Sequence, residues 1–188
     1  MKRYFIVVIA ILILIYPTYM LIEYSIDLSK SYKQDGIRFA SKVDEKYFYI
    51  YEEDEFKKTF IKGVNLGATK PGYYPGEFGI TKEDYLRWFK YISDLNANTI
   101  RVYTIMMPVF YDALLEFNEK AEKPLYLIHG LWVNEEDITT YMDAFNPVIK
   151  ENTIDEAKTL VDVIHGNTKI PFINGKAYGD YKSDISNY

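Results

Sequence analysis

The sequence predicts an α/β fold: the N-terminal portion of a TIM (β/α)8 barrel, about three β/α units, preceded by a β-hairpin and one transmembrane helix. Three observations predict it. From Phe60 onward, short and continuously apolar strand patterns alternate with amphipathic helical patterns, as in a parallel sheet. The first strand is not followed by the Gly-rich phosphate turn of an open doubly wound sheet; Gly67 leads into a long Pro/Tyr loop instead. Finally, a full barrel takes about 250 residues and only about 130 remain from the opening strand, so three of eight units are present.

Lys2 and Arg3 precede Tyr4 to Ile22, an uncharged apolar run that ends at Glu23. As a helix it spans roughly 28 Å, close to the hydrocarbon thickness of a bilayer. It exceeds a usual signal-peptide core and no small-x-small cleavage site follows, so residues 1–23 read as a retained anchor. The two basic residues would stay inside, with the following domain extracytoplasmic. Residues 24–43 turn polar and read as a juxtamembrane stalk, partly helical. Residues 44–188 form the partial barrel.

Tyr47 to Tyr51 is strongly strand-forming, and the acidic Glu52 to Glu55 turns it into Phe56 to Gly67, a hairpin leading to the opening strand Phe60-Ile61-Lys62-Gly63-Val64-Asn65. Lys70 to Gly79, with two Pro-Gly pairs around Tyr73 and Tyr74, is a loop. Thr81 is an N-cap with Asp84 as its capping-box partner, opening a helix over Lys82 to Asn96 whose apolar face is Tyr85, Trp88, Phe89, Ile92 and Leu95. Thr99 to Ile105 is the second strand. Pro108 starts a second helix that buries Phe110, Ala113, Leu114 and Phe117. Leu125 to Ile128 is the third strand, and Asn134 to Asn146 a loop or short helix. The third long helix buries Ile154, Ala157, Leu160, Val161 and Ile164 and closes at Gly166. The tail from Asn167 has no clear period.

Composition narrows the function classes. The chain carries 22 basic and 27 acidic residues, a net charge of −5, and no basic run longer than two, which excludes a nucleic-acid surface. Cysteine is absent, which removes disulfides, thiol chemistry and Cys-ligated metal. The two histidines, His129 and His165, have no spacing that pairs them with carboxylates, so neither a metal nor a cofactor is expected. The 19 tyrosines supply flat faces suited to sugars or partner proteins, or serve as ordinary core and strand residues.

The hairpin into Phe60–Asn65, the strand Asn98-Thr99-Ile100-Arg101-Val102-Tyr103, the run Phe110-Tyr111-Asp112-Ala113-Leu114 and the run Pro124-Leu125-Tyr126-Leu127-Ile128-His129-Gly130 together resemble the front of retaining glycoside hydrolase barrels. The resemblance is to the cellulase, β-galactosidase and β-glucanosyltransferase type and covers roughly Phe48 to Tyr188. It implies a two-carboxylate retaining mechanism with the carboxyl groups about 5–5.5 Å apart, at the ends of the fourth and seventh strands. The chain ends before the fourth, so no catalytic residue is assigned.

The candidate substrate-binding residues are Asn65, Arg101, Tyr103, Trp132 and Glu77. Asn65 ends the first strand, as a sugar contact or a strand cap. Arg101 and Tyr103, two apart, share a strand face; the resemblance gives Arg101 the role of steadying the nucleophilic carboxylate. Trp132 follows the third strand, as a stacking platform or a core residue. Glu77 lies in the Pro/Gly loop over the mouth. His129 reads as structural. The expectation is therefore a membrane-anchored, extracytoplasmic glycoside hydrolase-like protein that acts on β-linked glycans and, as an incomplete chain, lacks the catalytic carboxylates. The alternative is a non-catalytic surface protein that binds carbohydrate or a partner.

Overall fold

Two units divide the chain, Met1–Phe60 and Ile61–Tyr188, and the computed structural model describes residues 32–74 and 76–188. In the first unit β1 (Tyr32–Gln34) pairs antiparallel with β2 (Ile37–Phe39), and β3 (Ser41–Asp44), β4 (Tyr47–Glu52) and β5 (Glu55–Thr59) form an antiparallel sheet in that order. The acidic turn is a two-residue loop with Glu53 and Asp54 both at positive φ, 52° and 63°, the twist that matches the flanking strands. Tyr51 and Phe56 face each other across β4 and β5 with ring centroids 5.1 Å apart, and Tyr32 meets both rings. Of the expected stalk, residues 32–43 are described and carry β1, β2 and most of β3 in place of helix, while residues 24–31 lie outside the described residues.

The second unit is built on three parallel strands, β6 (Gly63–Asn65), β7 (Thr99–Val102) and β8 (Tyr126–His129), in the order β6-β7-β8. Helices α1 (Lys82–Asp94) and α2 (Pro108–Lys120) connect them and cover one face. Ile100 and Val102, alternate residues of β7, are fully buried and join Tyr85, Phe89, Ile92, Phe110, Tyr111 and Leu114 of the helices in the core. The aromatic centre of that core is edge-on: Phe110 lies 5.3 Å from Tyr85 and 5.8 Å from Phe89, both T-shaped. Then come α3 (Glu135–Tyr141), α4 (Pro147–Ile164) and an antiparallel pair, β9 (Thr168–Ile170) with β10 (Gly179–Tyr181).

The barrel expectation is corrected here. The parallel series stops at three strands, and the chain after α4 enters a separate antiparallel pair in place of a fourth parallel strand. The buried face of the third long helix also differs from the expected one: α4 buries Ile149 and Val163 and packs Leu160 and Ile164 against the core, while Ile154 and Val161 are exposed. Closure needs a fixed combination of strand number, tilt and stagger, which three short strands do not reach. The result is a small mixed α/β unit. The tail was read as patternless, yet Tyr181 and Ile185 are 2% and 1% exposed and belong to the core. Gly166 does close α4, at φ +63°, with backbone atoms of Lys182 and Ser183 where a side chain would sit.

The membrane expectation is corrected as well. The expected anchor, Tyr4 to Ile22, lies outside the described residues, and among the described residues no helix is long and apolar enough to cross a membrane. A single-pass, extracytoplasmic placement is therefore not supported by the structure.

Charge fixes the ends of the first two helices of this unit. The capping box at Thr81 and Asp84 forms as the sequence predicts, the Thr81 hydroxyl accepting from the Asp84 N–H at 3.3 Å and the Asp84 carboxylate from the Thr81 N–H at 3.2 Å. Lys70 and Arg87 also donate to Asp84, at 2.5 and 2.7 Å. Lys70, the Thr81 N–H and Arg87 hold the Asp84 carboxyl well below the usual range. Glu116 accepts from Lys120 and pairs with Lys82, each at 2.7 Å, joining α2 to α1; Lys120 first and Lys82 second hold it down to about 2. Both groups bind protons more weakly when folded, so their contribution is fully present above the ordinary carboxylate pKa of about 4. It is lost as pH falls toward the folded values. Urea midpoints of the second unit are expected to be insensitive to these groups from pH 7 to 5 and to drop below pH ~4. Asp84→Asn should flatten part of that drop; an unchanged acid limb in this variant would contradict the assignment.

Candidate functional site

Strand register brings three of the five candidate residues together. Asn65 of β6 is in register with Arg101 of β7, which is in register with Ile128 of β8. Because side chains alternate along a strand, these three lie on the face opposite the helices, and all three are exposed. Tyr103, two residues beyond Arg101, points the same way: the Arg101 guanidinium sits over its ring, 4.4 Å from the centroid. The same-face pairing of Arg101 and Tyr103 is as the spacing predicts. Parallel sheets are normally covered on both faces; within this unit the helices cover only one.

The C-terminal edge of the strands extends this surface. The Leu66 N–H donates to the Arg101 carbonyl at 2.9 Å and the Gly130 N–H to the Val102 carbonyl at 2.9 Å, so the parallel pairing runs past the regular strands. Gly130 lies so close to the Tyr103 backbone that a Cβ there would stand 2.8 Å from its carbonyl oxygen. A side chain at 130 would push the β8 edge away from β7. Beyond it Trp132 is 58% exposed, which removes the core reading of that residue and leaves a free indole face.

Glu77 is engaged elsewhere. Its carboxylate accepts from the Tyr74 N–H at 2.6 Å and its own N–H donates to the Tyr74 carbonyl at 3.1 Å, so it closes the Pro/Gly loop on itself. Arg101 has no carboxylate within ion-pair reach among the described residues; its recorded neighbour is the Tyr103 ring. Without an acid to steady, the role that the resemblance gave Arg101 has no partner here. Among the described residues no group of three His, Asp or Glu is arranged to hold a metal ion.

A buried polar chain behind this edge was not legible in the sequence. The Tyr181 hydroxyl donates to the Met106 carbonyl at 2.9 Å, and the Met106 N–H donates to the Tyr111 hydroxyl at 3.1 Å. The Tyr111 hydroxyl lies 2.9 Å from His129 Nε2, and His129 Nδ1 lies 2.9 Å from the Gly130 carbonyl. A carbonyl can only accept, so Nδ1 carries the ring proton and Nε2 accepts from Tyr111. Burial lowers the imidazole pKa and pushes the hydroxyls of Tyr111 and Tyr181 up. His129 is structural, in keeping with the sequence reading. Tyr111 gave no signal beyond helical spacing, and Tyr181 sits in the segment without a period.

An opening of about 720 Å³ lies at the other end of the strands, between the C-terminal ends of α1 and α2. Two of its lysines, Lys90 and Lys120, are already paired with Asp94 and Glu116. The outer face and C-terminal edge of the sheet remain the better candidate site, since exposed aromatic and donor groups lie side by side there on the face the helices leave uncovered.

A scan against protein-family models, a search of curated proteins and a search of solved structures each returned no match. They lend the resemblance to glycoside hydrolases no support.

Proposed function

We propose that the second unit is a non-catalytic glycan-binding domain that receives a sugar on the outer face of β6-β7-β8 at its C-terminal edge. The observation that carries this reading is the exposed Arg101–Tyr103 stack beside Asn65, with the exposed Trp132 on the segment that prolongs β8. Aromatic faces pack against the C–H faces of sugar rings, while a guanidinium and a carboxamide hydrogen-bond their hydroxyls.

The test is calorimetric titration of the full chain with soluble β-linked oligosaccharides. Saturable binding is expected, with Trp132→Ala and Arg101→Ala each weakening it about tenfold, or roughly 1.4 kcal/mol. Absence of binding across the panel, or binding untouched by both substitutions, would refute the reading. Exposed Ile128, Leu131 and Val133 around the same edge favour a second reading, in which a protein partner covers the face. That reading predicts no sugar affinity and partner capture that Ile128→Lys abolishes.

A further inference from the structure

The chain Tyr181–Met106–Tyr111–His129–Gly130 runs from the core to the site edge, and its Tyr111–His129 link forms only while the imidazole is neutral, whereas the Nδ1–H bond to Gly130 is kept in either protonation state. Nε2 must accept from Tyr111, because the Tyr111 oxygen already receives the Met106 N–H. Nδ1–H donates to the carbonyl of Gly130, which follows β8 and leads into Leu131 to Val133. Protonating Nε2 makes it a donor, strands the Tyr111 hydroxyl proton in the core and places a charge in a half-buried position. The rings of Tyr111 and His129 lie nearly parallel, with centroids 6.2 Å apart.

We propose that His129 and Tyr111 are positioning residues for the site edge. With the imidazole neutral, the Tyr111–His129 bond ties the end of β8 and the Leu131–Val133 segment that follows it to α2, and protonation of the imidazole breaks that tie and releases the segment. The function of the edge rests on the glycan-binding reading, but the release itself does not. The titratable groups around the ring are Tyr111 on α2 and Tyr181 on β10 behind it, with Glu156 of α4 acting on Tyr111 through space. Arg101 lies on the opposite face of the sheet. None of these supplies an anion hydrogen-bonded to His129 that would stabilise the imidazolium. Its neutral form is therefore favoured in the fold, and the held state is complete above the ordinary histidine pKa of about 6.5 and lost as pH falls below it.

The experiment uses the full chain carrying Trp88→Phe, which leaves Trp132 as its single tryptophan. Trp132 fluorescence anisotropy is followed from pH 8 to 5 while the His129 ring protons are followed by NMR. The expected result is a fall in anisotropy that tracks His129 protonation, with a midpoint below ~6.5 and unchanged far-ultraviolet circular dichroism. His129→Gln should remove the step, Tyr111→Phe should shift it, and His165→Gln should leave it in place. A step that survives His129→Gln, or protonation of His129 with no change at Trp132, would overturn the proposal. Should His129→Gln fail to fold, the Tyr111→Phe shift decides alone. Glycan affinity is measured separately, so either idea can fail without the other.

Discussion

Asn118→Ala is expected to destabilise the second unit by about 2–5 kcal/mol. Asn118 sits near the end of α2, 5% exposed, and its carboxamide clamps one residue of the incoming third strand. Its Nδ2 donates to the Leu125 carbonyl at 3.0 Å and its Oδ1 accepts from the Leu125 N–H at 2.9 Å. Leu125 is itself 1% exposed, so water does not replace the lost partner. Alanine leaves a buried donor and a buried acceptor unmet, each costing about 1–3 kcal/mol. Urea unfolding followed by circular dichroism reads the effect. Asn118→Asp separates the two bonds: it keeps the acceptor for the Leu125 N–H, removes the donor and adds a charge, and should be as damaging as alanine. A loss below about 1 kcal/mol for both variants would show that the clamp is dispensable.

Phe110→Ala is expected to cost about 3–5 kcal/mol. The ring is fully buried and touches Tyr85 of α1, Phe89 of α1 and its neighbour Tyr111 at centroid distances of 5.3, 5.8 and 5.1 Å. It therefore holds α1 and α2 against each other as well as against the sheet. Truncation removes the transfer free energy of the ring and leaves a cavity whose walls are other rings that cannot collapse into it. Phe110→Leu should recover most of the loss, because volume is largely conserved. A small effect of alanine at this position would mean that the aromatic cluster repacks, which the T-shaped geometry argues against.

Both residues show where sequence reading succeeds and where it stops. Phe110 was legible, because a buried helix face repeats at three and four residues and Pro108 marked the start. Asn118 was not, since a polar residue at helical spacing looks the same whether it faces water or a partner strand. The Thr81–Asp84 cap was readable for the opposite reason: both of its partners lie three residues apart on the same chain segment. The three parallel strands and the two helices between them came from local period alone. Their extension into a barrel did not, because strand number and closure depend on pairings that no local pattern encodes.

At the candidate site the sequence placed Arg101 and Tyr103 on one face and ended the strand at Asn65; alternation along a strand is a local rule. Whether Trp132 faces solvent, and whether Glu77 serves a ligand or its own loop, depended on which surfaces the second unit leaves uncovered. Only the fold decided those two. By itself the sequence determined the strand and helix units, the capped start of α1, and a composition without cysteine. The tertiary structure decided that the parallel sheet stops at three strands with its outer face bare within its unit. It also decided that Tyr181 and Ile185 of the patternless tail complete the core, and that Tyr111 and His129 are one hydrogen-bonded group. The physical reason is range. Periodicity and capping act over a few residues and are written in order, while the bond between Tyr181 and Met106 spans 75 residues and exists only once the chain has folded.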